Sequence, residues 1–539
     1  MKTQIYVVIL SFLLLLTMVG GVSMAEENTG NIDEEVLKIL YEKTENPEAW
    51  VTFINQNAED GLGKWLPLLI KKIADPSEGA SKTLANVHYK TITEGFDWGP
   101  AIGKIVLDFG MPIDAESLSI NTFDVKSIRY FKDFDFTTFS YDDKVTAHEV
   151  TCPVTHIYKS DANGMPMENG DFVTLEMAVG PQRVETSPLN YNMLTSKNEY
   201  VKIRYRISLN PGTTLTSQEG EKVVMIPTDD DAYSKDVKLV ADEFENNQSF
   251  EYSNIKLLYA SYTPKTASKE TGKNPLIIWL HGAGEGGNDT TIPLLGNKVV
   301  NLATDKIQKL FGETGSYVLV PQSPTMWMDY DGTGIYNNTI ENSDGKSYYQ
   351  EALMALIDQY VSEHPEIDKD RIYIGGCSNG GYMTVNMIIN YPDYFAAAFP
   401  ICEAYSAEWL TEDRLEAIKK MPIWLTHALS DGVVAIAEGE LDAQHNVIVK
   451  KDADGMPILK KDFSNALYDQ LKSLGAMNVH YSRFDKVVDT SGMYKAQNGV
   501  DPYEYMGHFS WVYALNNECV ETIEGEEVTL FEWLADQSK

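Results

Sequence analysis

Cysteine is scarce in this chain: four in 539 residues, at positions 152, 377, 402 and 519. Four are too few for a disulfide scaffold in a protein of this size, and no Cys-x-x-Cys pair offers a thiolate metal site. Cys377 and Cys402 are expected at the ends of neighbouring strands, where a bridge would fit, although two free thiols are the expectation. Positive charge is also short. Lys and Arg number 44 against 79 Asp and Glu, a formal net charge of −35. Such a surface repels polyanions, which argues against nucleic acid or an anionic membrane as partner. Long apolar runs are missing after the first 25 residues, and with them any later bilayer span.

What is present begins with residues 1–25, which read as a secretory signal. Lys2 carries the positive charge, positions 5–19 are almost wholly apolar, and Ser23-Met24-Ala25 puts small residues at the cleavage positions. The expectation is a secreted protein cut after Ala25, with an uncleaved N-terminal membrane anchor as the rival. Residues 26–84 recur at helical spacing, as in Ile32, Val36, Ile39 and Leu40. From 85 to 210 the period changes to two. In residues 200–209, Val201, Ile203, Tyr205 and Ile207 face one way while Lys202, Arg204 and Arg206 face the other. Short strands divided by turn signals predict a β-sandwich, with single strands expected at 105–107, 150–156 and 172–178. Residues 211–236 are polar and turn-rich and read as a linker.

From 237 to 539 the pattern becomes α/β. Continuous apolar runs at 276–280, 317–320, 372–374, 396–401 and 423–425 read as strands covered on both faces, with further strands at 255–262 and 479–484. Helical segments at 348–361, 379–389, 409–418 and 464–474 lie between them. This alternation predicts a mostly parallel, doubly wound sheet. Asp161-Ala-Asn-Gly164 and Asp452-Ala-Asp-Gly455, each followed by Met-Pro, read as turns. They lack the further acidic ligands of a calcium loop.

The chemistry concentrates at Gly376-Cys377-Ser378-Asn379-Gly380. Its Gly-x-Ser-x-Gly pattern sits between an apolar strand and a helix, as a nucleophile elbow does. A serine hydroxyl is inert until a base takes its proton, a third group orients that base, and donors meet the oxyanion. The acid candidate is Asp431, after the strand at 423–425, with Glu403 and Asp442 as competitors. The base candidate is His508, in Gly507-His508-Phe509, beyond the last strand. His427 stands too close to Asp431 in sequence to share a hydrogen bond with it and still reach Ser378. The backbone N–H groups of Ala283 and Asn379 are the oxyanion pair, with Gly284 as alternate, in a glycine-rich loop that lacks the lysine of a phosphate loop. Trp327 reads either as lining the substrate pocket or as a packed loop tryptophan.

Leu280-His-Gly-Ala-Gly-Glu285, Gly376-Cys-Ser-Asn-Gly-Gly-Tyr-Met383, Ser430-Asp-Gly-Val-Val434 and Gly507-His-Phe-Ser-Trp511 together resemble secreted α/β-hydrolase esterases that carry an immunoglobulin-like domain ahead of the hydrolase. Feruloyl and polyhydroxybutyrate esterases and prolyl-oligopeptidase-like peptidases are related. The resemblance implies an α/β hydrolase preceded by an immunoglobulin-like sandwich. It also implies a serine carboxylesterase with Ser378, Asp431 and His508 as triad, acting on small-molecule or polymer-linked esters. Neither metal nor organic cofactor is expected. At His427-Ala428 and Ala435 the chain departs from the feruloyl-type pattern of His-Gly and a later proline. Two rival functions remain: a serine peptidase for short peptides, and a non-catalytic surface-binding protein.

Overall fold

The computed structural model describes residues 82–334 and 342–539. The signal segment and most of the helical stretch expected at 26–84 lie outside these residues. Positions 82–84 are strand rather than helix, because Lys82–Ala85 pairs in parallel with Lys222–Met225.

The N-terminal domain is the expected sandwich. One sheet has five strands, in the order Tyr233–Lys238, His88–Phe96, Gly99–Asp108, Phe172–Met177 and Val154–Ser160. Facing it are Lys202–Leu209, Phe123–Phe131 and Thr146–Thr151. Alternation closes the core: Ile105, Leu107, Val125, Leu175, Tyr205 and Ile207 are all buried in it. Two sequence expectations are corrected. The single strand expected at 150–156 is two strands in different sheets, broken at Pro153, which cannot donate to a ladder. Residues 211–236 are not a linker. Leu215–Thr216, Lys222–Met225 and the start of Tyr233–Lys238 pair within the domain, and Leu215, Val223 and Met225 are buried. These strands are too short to raise a periodic signal above the polar residues around them.

The C-terminal sheet has eight strands. In chain order they are β1 (Glu245–Tyr252), β2 (Ile255–Tyr262), β3 (Asn274–Leu280), β4 (Tyr317–Gln322), β5 (Ile367–Cys377), β6 (Ala397–Ile401), β7 (Ile423–Ala428) and β8 (Val479–Phe484). Their spatial order is β1-β2-β4-β3-β5-β6-β7-β8. β2 runs antiparallel to both neighbours, and the remaining pairs are parallel. β1 is the strand that periodicity misses. Its sequence, Glu-Asn-Asn-Gln-Ser-Phe-Glu-Tyr, is mostly exposed, as suits the edge of a sheet. Apolar side chains of β3 to β7 divide between two cores, one on each face. Leu276 and Ile278 point into one and Ile277 and Trp279 into the other. No helix among the described residues is long and apolar enough to cross a membrane.

The two domains are tied by the turn that follows His88–Phe96. Asp97 is buried and accepts from Lys298 Nζ at 3.0 Å, while Trp98 packs edge-on against Tyr494. A second tie is the hairpin of Leu189–Asn192 and Lys197–Tyr200, whose Tyr200 Oη lies 2.9 Å from Thr291 Oγ1.

Candidate active site

β5 leads directly into the helix Asn379–Asn390, and Ser378 occupies the turn between them. Its backbone sits at φ 56° and ψ −115°, outside the wells a side chain favours. Ser378 N–H donates to Ile401 O at 2.9 Å, and Tyr382 N–H donates back to Ser378 O. The turn is this tight only because two flanking positions lack a side chain. A Cβ on Gly376 would stand 2.4 Å from Leu280 O, and one on Gly380 would stand 1.9 Å from the same oxygen. Strand β3 therefore presses on the elbow from below, and Ser378 is left half-buried at the rim.

Asp431 lies just beyond β7 and is wholly buried. Oδ1 accepts from the Val433 and Val434 N–H groups at 2.8 and 2.9 Å. Oδ2 takes two imidazoles, His508 Nδ1 at 2.8 Å and His427 Nε2 at 3.0 Å. Burial by itself would push this carboxyl up. The charge of His508 and the hydrogen bonds from both rings outweigh burial and hold it well below the ordinary carboxylate range. As an ionised carboxylate it only accepts, so His508 carries its proton on Nδ1 and turns Nε2 outward. His508 belongs to a short turn of helix, Gly507–Phe509, and its ring meets Trp511 edge-on at 5.5 Å. Gly507 N–H donates to Asn446 Oδ1 at 2.6 Å, which anchors that turn to the insertion following Asp431.

Cys402 ties the two halves of the site together. It follows Ile401, the acceptor of the Ser378 N–H, and its Sγ lies within 4.8 Å of ligand atoms of Asp431 and His508. Ser378, Asp431 and His508, which are far apart in sequence, are thus brought around Cys402, beyond the carboxyl ends of β5 and β7. Ser378 Oγ and the His508 ring do not hydrogen-bond to each other among the described residues. The competitors are bonded to backbone groups. Glu403 is buried, and its Oε2 accepts from Tyr405 N–H, while Asp442 Oδ1 closes a turn at Gln444 and Asn446. All four cysteines are free thiols, Cys377 and Cys402 included.

Ala283 and Asn379 each stand at the first position of a helical turn, where a backbone N–H has no acceptor within the helix. The Ala283 loop is braced from behind. Glu285 Oε2 accepts from Gly282 N–H and from Asn297 Nδ2, both at 3.0 Å. His281 Nδ1 donates to Gly282 O at 2.6 Å, and its Nε2 accepts from Ser323 N–H at 3.1 Å. Burial lowers this imidazole to about 4, so it is neutral and keeps that single tautomer. Asn379 serves a further purpose: its Oδ1 accepts from Trp327 N–H at 2.6 Å. Trp327 itself has no exposed surface. It packs against His281 and Tyr349 inside the core and presents no face to a substrate, so the burial agrees with the packed-tryptophan alternative.

The sequence alone sets His427 aside as a base and does not reveal its contact with Asp431. The spacing of four residues at a strand end was the available signal. The contact of His281 Nε2 with Ser323 carried no such signal, since the two are 42 residues apart, whereas Glu285 bonds within its own loop and to Asn297.

Two family models match in tandem. Residues 88–224 match the immunoglobulin-like N-terminal domain of esterases, and residues 262–465 match the phospholipase/carboxylesterase family. Among solved structures, a thermostable esterase superposes with a TM-score of 0.61 at 23% identity, covering 84% of this chain and 100% of its own. A fluorophosphonate-binding serine hydrolase of Staphylococcus aureus aligns at 12% identity and TM-score 0.31, over 53% of this chain and 96% of its own. Est1E of Butyrivibrio proteoclasticus aligns at 15% identity and TM-score 0.27, over 44% and 87%. No curated protein sequence matches.

Proposed function

We propose that this chain, a carboxylic ester hydrolase of the α/β-hydrolase fold behind an immunoglobulin-like domain, works through Ser378, His508 and Asp431 and acts outside the cell. The observation that carries the reading is the Asp431 carboxylate. It grips His508 Nδ1 at 2.8 Å while the nucleophile elbow holds Ser378 in a strained turn nearby.

In this reading His508 Nε2 takes the Ser378 Oγ proton as the oxygen attacks the ester carbonyl. Asp431 holds the tautomer and stabilises the imidazolium. The N–H groups of Ala283 and Asn379 receive the oxyanion. The tetrahedral intermediate expels the alcohol, which takes the proton from His508, and an acyl-serine remains. Water, deprotonated by the same ring, then releases the acid. This reading requires a hydrogen bond from Ser378 Oγ to His508 Nε2 in the complex with substrate. Export rests on the signal-like residues 1–25.

The test is Ser378→Ala on short p-nitrophenyl esters, together with fluorophosphonate labelling. The variant should lose both turnover and label. Undiminished turnover, or label on another residue, would remove Ser378 from the role. Faster cleavage of aminoacyl anilides than of esters would move the enzyme to the peptidases.

A further inference from the structure

The hairpin of Leu189–Asn192 and Lys197–Tyr200 belongs by sequence to the N-terminal domain, yet it lies on the catalytic loops. Tyr191 and Asn198 are directly opposite in the ladder, so both side chains leave the same face. That face meets the loop assigned to the oxyanion. A Cβ built on Gly284 would stand 3.4 Å from Asn198 Nδ2 and 3.7 Å from Tyr191 Cε2. Lys197 Nζ donates to Pro324 O at 2.7 Å, on the loop that leads to Trp327. The hairpin therefore touches two loops at the mouth, one of them adjacent to Ala283.

The outer side of this contact is apolar and open. Tyr191 is 47% exposed, and Leu194, at the hairpin tip, is 55% exposed. Behind them Tyr141 Oη accepts from Met193 N–H at 2.8 Å, and Tyr141 carries a loop whose Phe136 and Phe139 are also exposed. Phe134 meets Phe136, Phe139 and Tyr141 edge-on, and exposed aromatic and aliphatic side chains linked in this way on a surface with a net charge of −35 point to a binding site. Its position identifies the occupant. It continues from the oxyanion loop, so a substrate whose carbonyl sits at Ala283 can extend its far end over Tyr191. A flat ring gains most there, by offset or edge-on packing on the phenol.

We propose that Tyr191, flanked by Leu194, is a specificity subsite lent by the N-terminal domain, and that it receives an aryl group of the ester. This rests on the serine-esterase reading above. The full-length protein is assayed on 2-naphthyl acetate, with the ring on the alcohol, on methyl 3-phenylpropanoate, with the ring on the acid, and on methyl acetate as reference. Tyr191→Ala should lower kcat/KM for one aryl ester relative to methyl acetate, on the order of tenfold, mainly through KM. Tyr191→Phe should keep the ratio, and Leu194→Ser should lower it less. If Tyr191→Ala does not fold, the exposed Leu194→Ser carries the same ratio test. An unchanged ratio overturns the subsite and leaves the hairpin as a brace, or as a face for another protein. Ser378→Ala separates the two readings. If it is inactive while Tyr191→Ala leaves the ratio intact, only the subsite falls. If it is active, the serine reading falls first.

Discussion

His427 Nε2 lies 3.0 Å from Asp431 Oδ2, the same oxygen that holds His508. His427 is wholly buried, and its Nε2 also faces Val434 O at 2.9 Å. Two acceptors at one nitrogen require that nitrogen to carry the proton, which leaves Nδ1 to accept from Ser464 Oγ at 2.9 Å. His427 is thus a positioning residue. It fixes the carboxylate that in turn holds His508, the base of the proposed mechanism.

Replacing His427 with Gln should lower kcat far more than it changes KM. A hydrogen bond to a charged group is worth about 1.5–3 kcal/mol, or roughly tenfold to a hundredfold in rate. The acid limb of the pH–rate profile should move as well, because a less restrained Asp431 stabilises the His508 cation differently. A profile identical to wild type would reduce His427 to packing.

Stability should fall as the pH rises above neutrality. Burial pushes both Glu285 and Glu403 up to about 8 from an ordinary 4.5. Between those values the folded state keeps protons that the unfolded chain has lost. Their stabilising effect is complete below 4.5 and is lost as pH climbs through 8. His281, lowered to about 4 by burial, works in the opposite direction only below its ordinary 6.5. The window in which the two carboxyls act alone is therefore about pH 6.5 to pH 8, above which folded and unfolded chains are equally ionised. Tm should drop by several degrees across it, and Glu285→Gln and Glu403→Gln should each flatten the slope. A slope equally steep in both variants would exclude these carboxyls as its source.

Gly380→Ala should be poorly folded or inactive, since its methyl would overlap Leu280 O at 1.9 Å. The strand or the elbow must shift, at a cost of about 1–3 kcal/mol or more. Gly284→Ala is the control on the neighbouring loop, where the nearest atom would stand at an ordinary 3.4 Å. Urea denaturation of the two proteins should separate them clearly.

All four cysteines should be alkylated after denaturation without reductant, and none rapidly in the native protein, because every thiol is buried and free. Mass spectrometry counts the adducts. Two missing adducts would reveal a bridge.

Much of the catalytic domain was legible from one dimension. The apolar runs at 276–280, 317–320 and 372–374 fall inside observed strands, and the elbow at Ser378 is a local device with its glycines two residues to either side. Alternation and close packing act over a few residues, so they leave their mark in the order of amino acids. The same locality explains the twin turns at Asp161 and Asp452. In each, one carboxylate oxygen accepts from the backbone N–H two and four residues on.

Other features were decided only when distant segments met. Whether Trp327 faced a substrate or the core depended on Asn379 drawing its backbone inward. Parts of the polar stretch 211–236 became strand by pairing with Lys82–Ala85 and with His88–Phe96, which lie more than a hundred residues earlier in the chain. The role of His427 depended on Asp431 sharing one oxygen between two rings, and the reach of Tyr191 to the Gly284 loop depended on how two domains dock. Apart from His427 and Asp431, which are four residues apart, these contacts join residues tens of positions or more apart, and no short-range pattern encodes them.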